Sequence, residues 1–410
     1  MKKLKTYITE SKNTHMEHIE DLVFLEGVEG TKTAIAFLHD LKNMLSSNTN
    51  QKLNATVKWD GAPAIFCGID PRDKKFFVAK KGIFNATPKV YKTPADVDAD
   101  TSGDLATKLK IALAEFSKLG IRSGVYQGDL MFTKADLRDE VIDGEKYVVF
   151  HPNTIAYAIP ANSALAKKVK AARIGIVWHT SYAGASFETM RASFGTSIIS
   201  KMKKTPSVWM DDATYQDYSG TATFTKHESD QLSALIANIE KKFASIDHKV
   251  IDAIHGDKAI RDQVQIYNNT KVRAGAKITN TTQHVQGLFH YIHDKFQKEI
   301  DKLKTEKGKA GKEAKRKEVL SFFTKHDASS IAAVFDLTNM IVDAKNMIVN
   351  KMNTAGGMKT LIKTTSGYRV TGQEGFVAID HISGNAVKLV DRLEFSRSNF
   401  SPDVIKGWQR

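Results

Sequence analysis

The sequence predicts an antiparallel-rich α+β protein, and three observations carry that prediction. Short strand-like runs bounded by Gly, Pro, Asn and Asp fill residues 56–190. Helical periodicity replaces them over 191–360, and strand texture returns over 361–410. Strands grouped apart from helices, rather than alternating with them, point to α+β. The expected organisation is an N-terminal helical segment (1–55), a strand-rich core in two pieces (56–190 and 361–410), and a mainly helical, basic insertion between them (191–360). No internal repeat is evident.

In order along the chain, residues 15–25 carry Ile19, Leu22, Val23 and Phe24 at helical spacing, with breaks expected at Gly27 and Gly30. Thr31 is placed to cap a second helix, whose Ala34, Phe37, Leu38, Leu41 and Leu45 share a face. His15 and His18, beside Glu17 and Glu20, read as a solvated helix start rather than a metal site, because no further ligands cluster there. From Thr56 a strand delivers Lys58 into a turn, a second strand leaves over 64–69, and a third returns over 76–80. Asp96, Asp98, Asp100 and Asp104 lack the calcium-loop pattern and read as a solvated loop.

Leu109, Ala112, Leu113 and Phe116 mark a helix over 105–119; strands are expected at 124–132, 146–150 and 174–179, fading after 190. Leu232, Leu235, Ile236, Ile239 and Phe243 mark a further helix, followed by helix over 285–303 and 329–352. Between these lie Lys302, Lys304, Lys307, Lys309, Lys312, Lys315, Arg316 and Lys317, opposed only by Glu306 and Glu313. That run is a mobile basic loop or a frayed helix, presented to phosphates or simply to solvent. Strands return at 368–370, 373–379 and 386–390, with a turn at Ser383-Gly384-Asn385.

Composition narrows the setting. A chain of 410 residues has ample length for a large core, and 41% hydrophobic with 26% charged residues fits a soluble globular protein. The single cysteine, Cys67, excludes an internal disulfide framework and fits a reducing compartment. No apolar run reaches the length of a membrane span, so no membrane partner is expected. Thr9, Glu10, Ser11 and Lys12 stand where a secretory signal needs apolar residues, so a cytoplasmic location is expected. A net charge of +14 favours polyanionic partners, with a solubilising surface as the plainer explanation.

Lys58 is the candidate covalent nucleophile. A lysine ammonium becomes a usable amine when it is desolvated or set beside another cation. Four elements stand in order: Lys58-x-Asp60-Gly61, Tyr126-Gln127-Gly128-Asp129-Leu130, Glu374-Gly375-Phe376-Val377 and Val387-Lys388-Leu389. The ordered set resembles the covalent nucleotidyltransferase superfamily of ATP-dependent DNA and RNA ligases and mRNA-capping guanylyltransferases. Lys80-Lys81-Gly82 is similar to that family's small basic-glycine motif. The resemblance covers residues 55–180 and 365–395, and the chain looks like a bacteriophage member.

The resemblance implies an adenylation-type nucleotidyltransferase domain that uses ATP and Mg²⁺, with Mn²⁺ able to substitute. It implies that Lys58 carries the AMP and that Lys388 contacts the α-phosphate. Glu374 holds the metal, and Asp129 contacts the sugar or a metal-bound water. Lys80, or Lys81 in the alternative register, contacts phosphate or ribose. Asp60 holds the loop and contacts the reaction's polar groups, while Thr56 and Val57, on the strand that leads to Lys58, contact the nucleotide. Phe150 packs against adenine or, on the plainer reading, in the core.

The departures are Pro63 where many DNA ligases have Arg, the shorter acid Asp129, and Val390 in place of a second lysine, for which Arg392 is the candidate substitute. About twenty residues follow the last motif, so no C-terminal OB domain is expected. The insertion, with the basic run 302–317 and Arg392, is therefore expected to grip nucleic acid. The activity expected is sealing of 5′-phosphate to 3′-hydroxyl ends, in a nicked duplex or between strand ends, by a monomer, with DNA versus RNA open. The alternatives are an inactive basic nucleic-acid-binding protein and a GTP-using capping-type enzyme.

Overall fold

The computed structural model describes residues 17–46, 53–194, 197–213, 223–353, 358–380 and 386–409. Its strands are β1 (Glu17–His18), β2 (Leu53–Lys58), β3 (Ala64–Ile69), β4 (Phe76–Ala79), β5 (Val125–Thr133), β6 (Arg138–Ile142), β7 (Glu145–Phe150), β8 (Ile155–Pro160), β9 (Ile174–Ala183), β10 (Arg191–Phe194), β11 (Val208–Asp212), β12 (Lys359–Thr364), β13 (Gly367–Val370), β14 (Gly375–Asp380) and β15 (Ala386–Leu389). They form three sheets. One has the order β1-β15-β14-β2; the second runs β10-β9-β5-β3-β4 with β11 beside β9; the third runs β13-β12-β8-β7-β6. Most pairs are antiparallel, and β1 with β15 and β11 with β9 are the parallel ones. The α+β expectation holds. Among the described residues no helix is long and apolar enough to cross a membrane.

Strand alternation divides the first sheet into two faces. Ala55 pairs with Ala378 and Ala378 with Val387, while Val57 pairs with Phe376 and Phe376 with Leu389. This face joins the largest apolar cluster, built from the helices Gly27–Leu45, Lys226–Ser245, His248–Gly256, Lys258–Arg273, Thr281–Asp301 and Ala328–Met352. The N-terminal helix and the helical insertion therefore share one core, and the sheet lies across it. The opposite face carries Thr56, Lys58, Val377 and Lys388.

In the second sheet, Ile65, Cys67, Leu130, Ile176 and Trp178 pack on the helix Gly103–Phe116 through Leu109, Ala112, Leu113 and Phe116. That helix shows the i, i+3, i+4, i+7 spacing expected of it.

Several local expectations are corrected. Residues 17–25 are not one helix: Glu17 and His18 pair with Val387 and Lys388, and short helical turns follow at Ile19–Asp21 and Leu22–Leu25. His15 lies outside the described residues. The next helix begins at Gly27, so Thr31 is inside it and not its cap; its hydroxyl donates to the Gly27 carbonyl at 2.9 Å. The aspartate-rich stretch is not a loop. Pro94–Asp100 is a helix with a capping box, in which Thr93 accepts from the Asp96 amide and Asp96 accepts from the Thr93 amide.

The strands do not fade at 190, because β10 and β11 both add to β9. The basic run is largely helical, Glu306–Leu320, with Thr305 as its cap. The turn at 383–385 lies outside the described residues.

One buried ion pair ties the N-terminal segment to the longest helix. Lys345 donates to Glu20 at 2.8 Å, with side chains 1% and 4% exposed. Burial raises the Glu20 carboxyl, but Lys345, His18 and Arg392 outweigh it and hold the group below its ordinary value. Removing Lys345 leaves the buried Glu20 carboxylate with only the more distant Arg392, 3.7 Å away, to offset its charge. Lys345→Ala is expected to lose about 3–5 kcal/mol of unfolding free energy in urea, and Lys345→Met combined with Glu20→Gln to lose less.

Candidate active site

Lys58 is the last residue of β2 and pairs with Gly375, the first of β14. That register sets Glu374 directly beside it, and the Lys58 ammonium donates to the Glu374 carboxylate. The Lys58 side chain is 31% exposed and that of Glu374 12%. The Phe395 ring lies 6.0 Å from the Lys58 Nζ. On the same face, two strands across, stands Lys388, opposite Val377, which is itself opposite Thr56. Burial lowers the Lys58 pKa below the usual lysine value; Lys388 acts in the same direction, and Asp129 and Asp60 oppose it. The three motif residues Lys58, Glu374 and Lys388 thus converge from neighbouring strands.

Asp60 is a clamp. It is 3% exposed and accepts from Asn153 Nδ2 at 2.8 Å and from the amides of Thr154 and Ile155, both at 2.7 Å. Its own amide donates to the Tyr157 hydroxyl at 2.8 Å. Burial raises its pKa, and these donors and Lys58 offset that only in part. The turn after it is pinned to β5: the Ala62 amide donates to Leu130 O at 3.0 Å, and the Leu130 amide to Pro63 O at 3.1 Å. This approach requires Gly61, because a Cβ there would stand 2.6 Å from Asp129 Cβ and 2.9 Å from Met131 Sδ. The glycine thereby brings the Lys58 loop against the strand that carries Asp129.

Asp129 faces His179, whose Nε2 is 3.7 Å from Asp129 Oδ2 and whose Nδ1 is 2.7 Å from Thr180 Oγ1. His179 sits at a register shift: Gln127 pairs with Thr180 and Gly128 with Trp178, so the histidine is the extra, unpaired residue of a bulge. The face of Asp129 and Gln127 also bears Phe66, Phe84 and Tyr182, with Phe84 and Tyr182 4.8 Å apart and the Tyr182 hydroxyl donating to Gln127 Oε1 at 2.6 Å. His179, Phe84 and Tyr182 were not anticipated. The strand reading stopped at His179, and nothing in a sequence marks a bulge or a short turn as aromatic-bearing.

Other expectations fare differently. Phe150 has no exposed surface; it stacks on Tyr157 at 5.4 Å and meets Phe132 at 5.0 Å, so its face is filled by core rings and is not open to a base. Val57 lies on the helical-core face, one residue out of phase with Lys58, and so is not a nucleotide contact. Lys80 follows β4 and is held by Asp100 at 3.2 Å, while Lys81 is exposed and opens a short helical turn. Arg392 is neither a free second cation nor a surface contact. It pairs with Asp21 at 3.1 Å and lies 3.7 Å from Glu20, and its guanidinium also donates to Asn269.

In the basic helix, Lys309 pairs with Glu306, Lys312 with Glu299 and Lys315 with Glu318, and Arg316 donates to Gln297. Lys302, Lys304, Lys307 and Lys317 are exposed.

Among the described residues no group of three or more His, Cys, Asp or Glu is placed to hold a metal ion by itself. Mg²⁺ at a nucleotide site needs less, since one or two carboxylates, waters and phosphate oxygens complete its shell. Glu374, beside Lys58, and Asp129, facing His179, are the carboxylates such a shell would draw on.

Asp60→Ala would strand the donors of Asn153, Thr154 and Ile155. It is expected to cost about 3 kcal/mol in urea unfolding, with Asp60→Asn, which keeps one acceptor oxygen, costing less.

A family model described as a family of unknown function, DUF6267, matches residues 13–403. No curated protein and no solved structure matches the chain.

Proposed function

The chain belongs to the DUF6267 family, and we propose that it is an ATP-dependent polynucleotide ligase whose first step is nucleotidyl transfer to Lys58. The observation that carries this reading is the convergence of Lys58, Glu374 and Lys388 on neighbouring strands of one sheet, with Lys58 partly buried and its pKa lowered by that burial. In the first step the neutral Lys58 amine attacks the α-phosphorus of ATP. The N–P bond forms, the P–O bond to pyrophosphate breaks, and the nitrogen releases one proton to water, keeping the other in the phosphoramidate. Lys388, on the same face, neutralises the charge that builds on the phosphate. Asp60 keeps the Lys58 turn rigid through its three donors. A magnesium or manganese ion held through Glu374, with Asp129 nearby, would supply further charge neutralisation for the phosphates.

The AMP then passes to a 5′-phosphate, and a 3′-hydroxyl displaces it to seal the strand. The nucleic acid is expected along the exposed lysines of the helix Glu306–Leu320 and its flank, in a monomer working in a reducing cytoplasm.

The decisive experiment is incubation with α-labelled ATP or GTP and Mg²⁺, followed by denaturing electrophoresis, for the wild type and Lys58→Ala. Label from ATP on the wild type alone is the expected outcome. Label from GTP would move the reading to a capping-type enzyme. No label, from protein first stripped with pyrophosphate, would leave a nucleic-acid-binding protein. The rate of labelling carries a second expectation. An amine reacts only after losing its proton, so the rate should rise with pH and level off below the ordinary lysine value of about 10.4. A plateau reached only above that value would contradict the desolvated state of Lys58.

The grip is tested separately. Replacing Lys302, Lys304, Lys307 and Lys317 by Glu should weaken nucleic-acid binding and flatten its dependence on salt concentration, while labelling of Lys58 persists. Unchanged affinity and slope would place the grip elsewhere.

A further inference from the structure

A pocket of about 400 Å³ opens beside Ala62, four residues beyond Lys58, and no motif accounts for it. Its floor is apolar, made by Leu130, Met131 and Phe132 of β5. One rim carries Lys108, paired with Asp104 at 2.9 Å and lying 3.6 Å from Asp136; the lysine side chain is 17% exposed and that of Asp104 74%, and Asp136 and His151 also line the pocket. The other rim is Trp408, 67% exposed. Of the four tryptophans, Trp178 and Trp209 are buried in apolar clusters and Trp59 packs between Tyr157 and Trp209. Trp408 alone presents an open indole.

The chain is built to hold that indole in place. The Ile405 amide donates to Lys363 O at 2.9 Å and the Gly407 amide to Asn153 O at 2.7 Å. Lys406 donates to Thr154 Oγ1 at 2.7 Å, within the segment that clamps Asp60. The crossing at 407 is so close that a Cβ would stand 1.8 Å from His151 O, so only glycine passes there. Exposing an indole costs hydrophobic free energy, and the anchored backbone on its N-terminal side keeps Trp408 at the pocket.

The combination matches a nucleobase. An exposed indole and an apolar strand segment line the same pocket, and at its edge stand a donor, the Lys108 ammonium, and an acceptor, the Asp104 carboxylate, side by side. The edge of an unpaired base offers adjacent acceptors and donors in the same way. We propose that this pocket takes one unpaired nucleobase, stacked on Trp408 and read at its edge by Lys108 and Asp104. Ala62 in its lining sets it next to the Lys58 turn, which suits the terminal base of a strand whose end is to be joined. The nucleobase assignment stands on the pocket itself; its role as a strand end rests on the ligase reading.

The test is tryptophan fluorescence of the full chain, titrated with AMP in one arm and with a short single-stranded oligonucleotide in the other, with strand affinity measured independently by filter binding. Quenching is expected, and Trp408→Ala should abolish it and weaken oligonucleotide binding about ten-fold or more. Quenching by the oligonucleotide at concentrations where AMP has no effect assigns the pocket to a strand; equal response to AMP assigns it to a free nucleotide. Either result supports the nucleobase site. No quenching in either arm, or unchanged oligonucleotide affinity in Trp408→Ala, overturns it. Covalent labelling of Lys58 in Trp408→Ala should match the wild type, so a failure of this site and a failure of the nucleophile are read apart.

Discussion

Everything at the candidate site depends on β14 lying between β2 and β15. Lys58 and Glu374 are 316 residues apart in the chain, yet the ladder sets them in contact. Closing so long a loop costs only about 3 kcal/mol more than closing one of ten residues, because the entropy grows with the logarithm of length. Six paired positions along β2 and β14, with Phe376 and Ala378 buried against the helical core, are enough to offset that. The helical insertion does more than span the gap. Its helix Ala328–Met352, together with the N-terminal helix Gly27–Leu45, forms the apolar surface on which the back of the sheet rests, and that leaves the front free to carry lysines.

The front face holds an electrostatic balance. Desolvation and Lys388 push Lys58 towards the neutral amine, while Glu374, Asp129 and Asp60 favour the ammonium. In the proposed reaction the two demands are met in sequence. Without nucleotide, Glu374 keeps the ammonium paired and the partly buried charge tolerable. A metal-bound triphosphate would compete for Glu374, and losing that carboxylate would remove one of the groups that favour the ammonium, beside Asp129 and Asp60. Asp60 cannot take over, since its two oxygens already accept three hydrogen bonds from the segment 153–155.

The sequence made the main strands and the long helices legible because their apolar residues repeat at two or at three and four. It also brought out Lys58, Glu374 and Lys388, each at the end of a strand or within a short one. What it left dark has physical reasons. A two-residue strand such as β1 has no period, and its pairing with β15 is wholly tertiary. β10 and β11 add to β9 beyond the span where strand texture was evident. Phe150 and Val57 are the same residue types whether they face a ligand or a core, and only the phase of the strand decides. Arg392 read as a spare cation because Asp21 and Glu20, its partners, lie more than 370 residues away in the chain.

The net charge of +14 is a similar case of composition without placement. Much of the basic run is already spoken for: Lys309, Lys312 and Lys315 face carboxylates on their own helix or the preceding one. Lys80, similarly, is held by Asp100. These pairs do not bar phosphate contact. Exposed ion pairs contribute at most about 1 kcal/mol, less than a lysine gains by neutralising a phosphate and releasing its counterion. The arrangement instead gives the protein a way to carry many lysines without strong self-repulsion. Arg392 lies at the other extreme: mostly buried, with two carboxylates and an amide around it, it cannot be exchanged at such low cost, and its role is to hold the N-terminal strand against the sheet that presents Lys58.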